Sequence, residues 1–237
     1  MSKVPHFVYT ARPTTRVRLK GLFEAGLLKE VLEKPQVLRA NGWTMETQQE
    51  ARIVKGEYLE IVLGDWKTIQ LYEDGMLLAK VKADADFLAW GSRGDEGFEK
   101  HPRLNPLALI EFTYSFVDVF SRVLEHAEPQ HIDCVLQVNI QHAIRVSGPL
   151  YLNPYGLETW AHKLDETRHT APEDSAEIAV QMTAASIRAN ASRAAYQFVE
   201  KIYLWFGVPV DRIPYTMGAG DEKVIDVETL RRGGKQA

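Results

Sequence analysis

The chain has 237 residues, a formal charge of −4, a single cysteine and 45% hydrophobic residues. A chain of this length buries about 70% or more of its unfolded surface, so it needs neither a disulfide nor a metal to fold. The composition is close to that of an average soluble protein, which excludes a collagen, a low-complexity disordered chain and a disulfide scaffold.

Cysteine usage and hydropathy indicate a cytoplasmic protein that does not contact a membrane. Cys134 is the only cysteine, so the chain cannot form an internal disulfide. The segment from Met1 to His6 lacks the apolar stretch of a signal peptide, and no run of about 18 uncharged apolar residues is present.

The net charge hides an uneven distribution. Residues 1–40 hold eight Lys and Arg against three Asp and Glu, whereas residues 41–100 hold seven against twelve. A protein that binds nucleic acid over its whole surface is usually strongly basic. Any nucleic-acid binding by this chain is therefore expected to be local.

The N-terminal half predicts an antiparallel sheet. Residues 6–9 and 16–20 have strand character, and residues 22–34 predict a short helix that ends at Pro35. Three alternating runs then follow, over 57–63, 66–72 and 76–82, and the last two are separated by an Asp-Gly turn. The residues expected on the shared buried face are Leu59, Ile61, Leu63, Ile69, Leu71, Leu77, Ala79 and Val81.

A loop over 91–97 precedes a buried helix over 106–126. Asn105 is a strong N-cap residue, and Pro106 suits the first helical position. This helix is apolar over most of its circumference, which is typical of a central, buried helix. Its polar residues form one narrow stripe: Glu111, Ser115, Asp118, Arg122 and Glu125.

Residues 131–141 alternate most regularly and predict a strand with Cys134 on its core face. The other face carries the amides of Gln137, Asn139 and Gln141. It is interpreted either as a solvated sheet face or as a surface that hydrogen-bonds a base, a nucleotide or another strand. Shorter strands are expected over 143–146 and 150–152.

The last third predicts a long helix, or a helix pair, over 174–206. Apolar residues recur there at steps of three and four, and a break is expected near Asn190. The tail over 218–237 is expected to be mobile. Together the elements predict a single α+β domain over 1–237, with a subdivision near 91–105 left open: an antiparallel sheet packed against the helix 106–126 and the C-terminal helices.

Arg16, Arg18 and Lys20 share one face of their predicted strand, about 6.6 Å apart. Such a row of cations would meet successive phosphates, which dominate the affinity for nucleic acid. The first explanation is an edge strand that is protected by charge from aggregation, and phosphate binding is the alternative.

The carboxylates of Asp84, Asp86 and Glu60 form the only enzyme-like arrangement. Paired carboxylates at a strand end can hold Mg²⁺, so these residues are the catalytic candidates of a Mg²⁺-dependent nuclease or phosphodiesterase. Mg²⁺ is the only cofactor considered, and only in that case. No histidine pair has the spacing of helical zinc ligands, and a resident metal site is not expected.

Four aromatic residues near the end of the predicted C-terminal helix offer a large contact area: Tyr196, Tyr203, Trp205 and Phe206. Core packing is the first explanation for them. An interface with a protein partner or a second copy is the alternative, since aromatic residues are enriched at interfaces.

The stretch over 194–207, AAYQFVEKIYLWFG, followed by Arg212-Ile213-Pro214-Tyr215, is similar to the closing region of some bacterial Schlafen/AlbA-type putative ATP- or DNA-binding proteins. The resemblance covers at most the last third, and no site residue is transferred from it. It implies a bacterial protein associated with nucleic-acid transactions or defence.

Three functional hypotheses result. The first is a non-catalytic interaction or regulatory subunit that works in an oligomer or a larger assembly, because no complete catalytic constellation is present. The second is the Mg²⁺-dependent nuclease or phosphodiesterase. The third is local nucleic-acid binding through Arg16, Arg18 and Lys20.

Overall fold

The structure is a computed structural model and describes residues 4–19, 27–40, 42–45, 49–89, 102–129, 131–152 and 169–233. Within these residues it confirms the α+β fold, with a seven-stranded antiparallel sheet and five helices. The strands are β1 (His6–Pro13), β2 (Arg18–Leu19), β3 (Arg52–Val54), β4 (Tyr58–Leu63), β5 (Lys67–Tyr72), β6 (Leu77–Lys82), β7 (Arg103–Leu104), β8 (Ala127–Glu128), β9 (Asp133–Gln141), β10 (Ile144–Arg145), β11 (Gly148–Pro149), β12 (Tyr151–Leu152), β13 (Ser175–Thr183), β14 (Thr216–Met217) and β15 (Val224–Ile225).

Helices cover one side of the sheet. They are α1 (Leu27–Glu33), α2 (Pro106–Leu124), α3 (Ala184–Ala189), α4 (Ala191–Trp205) and α5 (Val227–Arg231). The described helix α1 is shorter than the predicted one, of which residues 22–26 lie outside the described part of the chain. None of the described helices has both the length and the apolar character that a membrane crossing requires.

The main sheet has the strand order β13-β9-β1-β6-β5-β4-β3. The predicted meander is confirmed, because β4, β5 and β6 match the three alternating runs to within a residue and pair antiparallel. The strand over 133–141 is confirmed beside β1, with Tyr9 opposite Val138. The residues predicted on the buried face of the meander are all buried except Leu63, which is half-buried.

An aromatic cluster joins the sheet to the helices. The ring of Tyr9 on β1 lies 5.2 Å from that of Phe112, 5.4 Å from that of Phe116 and 6.0 Å from that of Phe198. The hydroxyl of Tyr9 lies 3.1 Å from that of Thr113 on α2, so the buried phenol has a hydrogen-bond partner. These contacts place α2 and α4 on the same face of the sheet.

The prediction that the C-terminal helix begins at residue 174 is wrong. Residues 175–183 form strand β13, which pairs along its whole length with β9. The positions Ile178 and Met182 were interpreted as one helix turn, but residues four apart also share one face of a strand. The expected break is confirmed, because Asn190 ends α3 and caps α4 with its side chain.

The polar stripe of the predicted central helix is partly buried. Helix α2 is confirmed over Pro106–Leu124, and Asn105 caps it as expected by accepting from the amides of Leu107 and Ala108. Arg39 and Met45 contact the N-terminal part of the stripe. There the guanidinium of Arg39 bonds Glu111 at 2.8 Å, and the amide of Met45 bonds the hydroxyl of Ser115.

Part of the tail that was expected to be mobile carries regular structure. Strands β14 and β15 form a small hairpin, and α5 follows it. Ile225 and Leu230 are buried at 1% and 0% exposure. The predicted loop over 91–97 lies outside the described residues.

Candidate functional site

Glu60 lies in a chain of hydrogen bonds across the sheet. It is on β4, where its carboxylate accepts from Nε of Arg52 at 3.0 Å and from the amide of Gln70 at 2.8 Å. Gln70 in turn accepts from the hydroxyl of Tyr72 at 2.9 Å. Burial acts to raise the pKa of Glu60, but the hydrogen bonds from Gln70 and Arg52 outweigh it and lower the pKa. The ionised form of this carboxylate is therefore favoured, and its negative charge is already balanced by its neighbours.

Asp84 and Asp86 lie in the turn that follows β6. The carboxylate of Asp84 accepts from the amide of Asp86, and its carbonyl accepts from Phe87 and Ala89. Such bonding is the usual way in which an aspartate stabilises a turn. This arrangement gives Asp84 a structural role in the chain reversal.

The structure does not bring Glu60 together with the two aspartates. Glu60 pairs with Gln70, which pairs with Leu78 on β6, two strands away. The last residue of β6, Lys82, lies about 13 Å from Leu78 along the strand, and β6 lies about 10 Å from β4 across the sheet. The two aspartates follow Lys82 and are therefore remote from Glu60. Among the described residues no group of three His, Cys, Asp or Glu is arranged to hold a metal ion.

Arg16 and Arg18 line a surface cleft of about 450 Å³ with Glu57, Glu73 and Asp74. Arg12 and Arg16 line an adjoining cleft of about 440 Å³, which also contains Asp74. We call Arg12, Arg16 and Arg18 the arginine cluster. Its side chains are exposed, and within the described chain none of the three guanidinium groups forms an ion pair or a hydrogen bond. Lys20, the third predicted cation, lies outside the described residues.

The arginine cluster is not a uniformly positive surface. Its three cations share the two clefts with three carboxylates, so the local charge is balanced. Arg18 also lies opposite Glu128 in the short pairing of β2 with β8. An anion bound here would meet guanidinium groups at close range without long-range attraction.

The four aromatic residues do not form a surface. Tyr196, Tyr203 and Phe206 are buried at 6%, 0% and 2% exposure, and only Trp205 is half-buried. Burial raises the pKa of Tyr203 well above its usual value. These side chains fill the space between α4 and the rest of the core, in agreement with the first explanation that the sequence suggested.

Cys134 is a fully buried core residue. It lies on β9 with 0% exposure, and burial raises the pKa of its thiol to about 11. At neutral pH the thiolate, which is the nucleophilic form, is therefore scarce. Its predicted place on the core face is confirmed.

The face of the sheet turned away from the helices is partly exposed in the described part of the chain. We call it the open face, and it includes the predicted amides of β9. Its side chains are exposed or half-buried except that of Glu60. Apolar, amide and tyrosine side chains mix along it: Val8, Thr10, Tyr58, Val62, Thr68, Gln70, Tyr72, Leu78, Val135, Gln137 and Asn139.

Strand β13 forms one edge of the sheet, and sequence reasoning missed it because the segment was interpreted as helix. The signal was present, since Ala176, Ile178, Val180 and Met182 alternate with more polar or smaller residues. At the opposite edge, β3 has only three residues, with Arg52 exposed. The two edges therefore differ greatly in length.

Comparison of the chain with protein-family models, curated proteins and solved structures finds no match. The resemblance of residues 194–215 to Schlafen/AlbA-type proteins stays a prediction. In the structure this stretch comprises α4, the turn at Gly207 and a 3-10 helix over Val210–Arg212.

Proposed function

We propose that this chain is a non-catalytic cytoplasmic interaction protein, which acts as a regulatory subunit of a larger assembly. The observation that carries the proposal is the sheet, whose open face is exposed or half-buried and whose nine-residue edge β13 has no further strand beside it among the described residues. A sheet with one uncovered face and a free edge offers side chains and main-chain groups to a partner at once.

The candidate catalytic groups give less support to an enzyme. Glu60 is bound by Arg52 and Gln70, Asp84 stabilises a turn, and the thiol of Cys134 is buried. The Mg²⁺-dependent nuclease considered as an alternative gains nothing from these positions. The association with nucleic-acid transactions or defence rests on the sequence resemblance alone.

Site-specific photocrosslinking tests the interaction function. A benzophenone side chain in place of Gln137, in the middle of the open face, is expected to form a discrete adduct in cells that express the full chain. The same probe in place of Lys201, which is exposed on α4, is the matched control and should give none. A second substitution on the open face, Leu78→Lys, should abolish the Gln137 adduct.

Two results would contradict the proposal. One is equal crosslinking from the two positions, since it would indicate random collision. The other is the absence of any adduct from probes placed across the open face and β13. An adduct that persists in the Leu78→Lys variant would show that the partner does not contact Leu78.

Local binding of phosphate groups is a second candidate function. It is favoured by the arginine cluster, because three exposed guanidinium groups, without an acidic partner among the described residues, lie around two adjoining clefts. Guanidinium groups match phosphate oxygens in geometry and charge. The balanced charge of the clefts implies only a few phosphate contacts.

Fluorescence anisotropy with a labelled single-stranded oligonucleotide tests this candidate. Replacing Arg16 and Arg18 with alanine should weaken binding and reduce the slope of log K against log salt by about 0.7 per lost phosphate contact. Lys29→Ala and Lys201→Ala, which remove cations outside the clefts, are the controls. A salt slope that is the same in all variants would exclude the arginine cluster.

A further inference from the structure

The outer side of β13 presents main-chain groups that pair with nothing in the described part of the chain. In an antiparallel pair, alternate residues direct both their amide and their carbonyl towards the neighbour. The amide of Ala184 donates to the carbonyl of Ile132 at 2.8 Å, so the main-chain amides and carbonyls of the even-numbered residues of β13 are directed towards β9. The main-chain groups of the odd-numbered residues are therefore directed away from β9. No described residue pairs with those of four of them: Ser175, Glu177, Ala179 and Gln181.

This edge lacks the features that normally protect an exposed strand. Natural edges carry lysine or proline, or are short or bulged. Strand β13 has nine residues in unbroken register with β9, and Glu177 is its only charged residue. The opposite edge, β3, is protected by its three-residue length and by Arg52. Strand β13 is therefore built for pairing.

The sequence of β13 is complementary to itself about Ala179. Antiparallel pairing of two copies around this residue would place Glu177 opposite Gln181 and Ser175 opposite Thr183. No like charges would meet, and the small side chain of Ala179 would lie on the two-fold axis. Because the main-chain groups of the odd-numbered residues point outwards, Ala179 with its counterpart and Glu177 with Gln181 would each exchange two main-chain hydrogen bonds. The carbonyl of Thr183 already accepts from the hydroxyl of Ser186, so the Ser175–Thr183 pair would lack that bond.

The same register also matches the core layer. Ile178 and Val180 lie on the helix-covered face of β13 but are only half-buried, because the sheet ends there. Pairing about Ala179 would set Ile178 of each copy opposite Val180 of the other and remove both from water. A register centred on Glu177 would oppose two carboxylates, and one centred on Gln181 would shorten the overlap.

We propose that β13 pairs with β13 of a second copy of this chain, antiparallel and centred on Ala179, so that two seven-stranded sheets become one. The inference rests on the proposed interaction function and names one partner and one surface for it. The interface is isologous, so it closes at a dimer and leaves no further edge of comparable length in the described sheet.

Light scattering after size exclusion tests the pairing with the full chain. The wild type, with a chain mass of 26.9 kDa, is expected to elute with twice that mass. Ala179→Pro removes an outward amide that the monomer does not use, and proline is tolerated at such edge positions. Loss of the two central bonds should raise the dimer Kd on the order of thirtyfold.

Lysine substitutions provide the matched pair. Ala179→Lys would place two cations on the two-fold axis and should also favour the monomer. Gln137→Lys puts the same charge on the neighbouring inner strand, directly beside Ala179 in register, and should leave the dimer intact. Circular dichroism verifies that each variant folds.

Cysteine crosslinking fixes the register. Cα atoms of a hydrogen-bonded pair lie about 5.5 Å apart, within the range of a disulfide. Ala179→Cys should therefore give a covalent dimer on oxidation. Glu177→Cys should not, because its counterpart in the second copy would lie about 13 Å away, four strand residues along. Cys134 is buried and does not interfere.

Each outcome is decisive. A wild type that is monomeric at about 100 μM, or a dimer unchanged by Ala179→Pro and Ala179→Lys, would overturn the pairing. So would efficient crosslinking of the Glu177→Cys variant in place of the Ala179→Cys variant. A monomer whose photocrosslinked partner is lost on Ala179→Lys would overturn self-pairing but support the interaction function, so the two failures are distinguishable.

Discussion

Glu60 and Glu111 are both buried carboxylates, but their surroundings shift their pKa values in opposite directions. For Glu60, burial acts to raise the pKa, but the hydrogen bonds from Gln70 and Arg52 outweigh it and lower the pKa. For Glu111, at 0% exposure, burial raises the pKa and the ion pair with Arg39 offsets it only in part. The sign depends on whether the hydrogen bonds and the neighbouring arginine outweigh burial, which is complete only for Glu111.

The two glutamates should therefore have opposite effects on the pH dependence of stability. The contribution of Glu60 to the free energy of unfolding is present above about pH 4.5, the pKa of the group in the unfolded chain. It is lost as the pH falls through the lower pKa of the folded state. The contribution of Glu111 is fully present below about pH 4.5 and is lost as the pH rises through the higher folded pKa. Urea unfolding of Glu60→Gln and Glu111→Gln from about pH 3 to 7 measures both.

At pH 7, Glu60→Gln is expected to lower the free energy of unfolding by about 0.5–1 kcal/mol, a small value because Arg52 is largely exposed. This deficit relative to the wild type should shrink on acidification. For Glu111→Gln, the stability of the wild type relative to the variant should instead grow on acidification. The same trend in both variants would contradict the assignment.

The chemistry of Glu60 could not be derived from its own residue type. The sequence indicated an acidic residue upstream of Asp84, and only the register of β3 with β4 places Arg52 beside it. A signal for this hairpin exists, since Gly56 follows Lys55 between two apolar runs and adopts a φ of 72°. The partner of Glu111 has no comparable signal, because Arg39 is 72 residues away in the chain.

At the scale of elements, two asparagines cap the two longest described helices in different surroundings. Asn105, at 0% exposure, accepts from the amides of Leu107 and Ala108 at the start of α2. Asn190 accepts from the amide of Arg193 at the start of α4 and is exposed. The cap of α2 therefore cannot be replaced by water, whereas that of α4 can.

Alanine substitution should separate the two caps. Asn105→Ala leaves buried amides without an acceptor and is expected to lower the free energy of unfolding by about 2 kcal/mol, at the upper end for caps. Asn190→Ala is expected to lower it by about 0.5–1 kcal/mol. Denaturant unfolding at constant m-value measures both. Equal losses would show that the burial of Asn105 is unimportant.

The error over 174–206 shows why one element was misassigned while the meander was predicted to within a residue. Ile178 and Met182 are four apart, which suits one face of a helix and one face of a strand equally. Val180 and Thr183 are β-branched and favour the strand. In the meander the turn residues mark the ends of short segments, which favours the two-residue alternation of strands. Pro172 and Asp174 also suit the start of a helix, so here they favour the three- to four-residue repeat of a helix, which is wrong.

At the scale of the whole molecule, the sequence predicted the layers better than the surfaces. Alternation and helical periodicity locate the core, because burial of apolar residues requires them. The open face and the position of β13 at an edge depend on which other elements lie beside the sheet, which no local pattern encodes. The arginine cluster likewise gains its acidic neighbours Glu57 and Glu73 only when β2 lies beside the meander.

Cys134 provides a measurement of how the whole molecule opens. Its thiol is buried on β9 opposite Met182 of β13, so a reagent reaches it either by global unfolding or by local opening of the edge strand. Labelling with a thiol-reactive disulfide at about pH 8 should be at least about a thousandfold slower than in concentrated urea, as expected for opening free energies above about 4 kcal/mol.

The dependence of this rate on urea and on protein concentration separates the two routes. Global opening gives a rate that rises with urea with the slope of equilibrium unfolding, whereas local opening of β13 gives a nearly flat dependence at low urea. If β13 pairs about Ala179, raising the protein concentration should slow the local route, and Ala179→Lys should remove that effect while Gln137→Lys keeps it. A rate that depends little on urea and is also independent of protein concentration would contradict the pairing of β13.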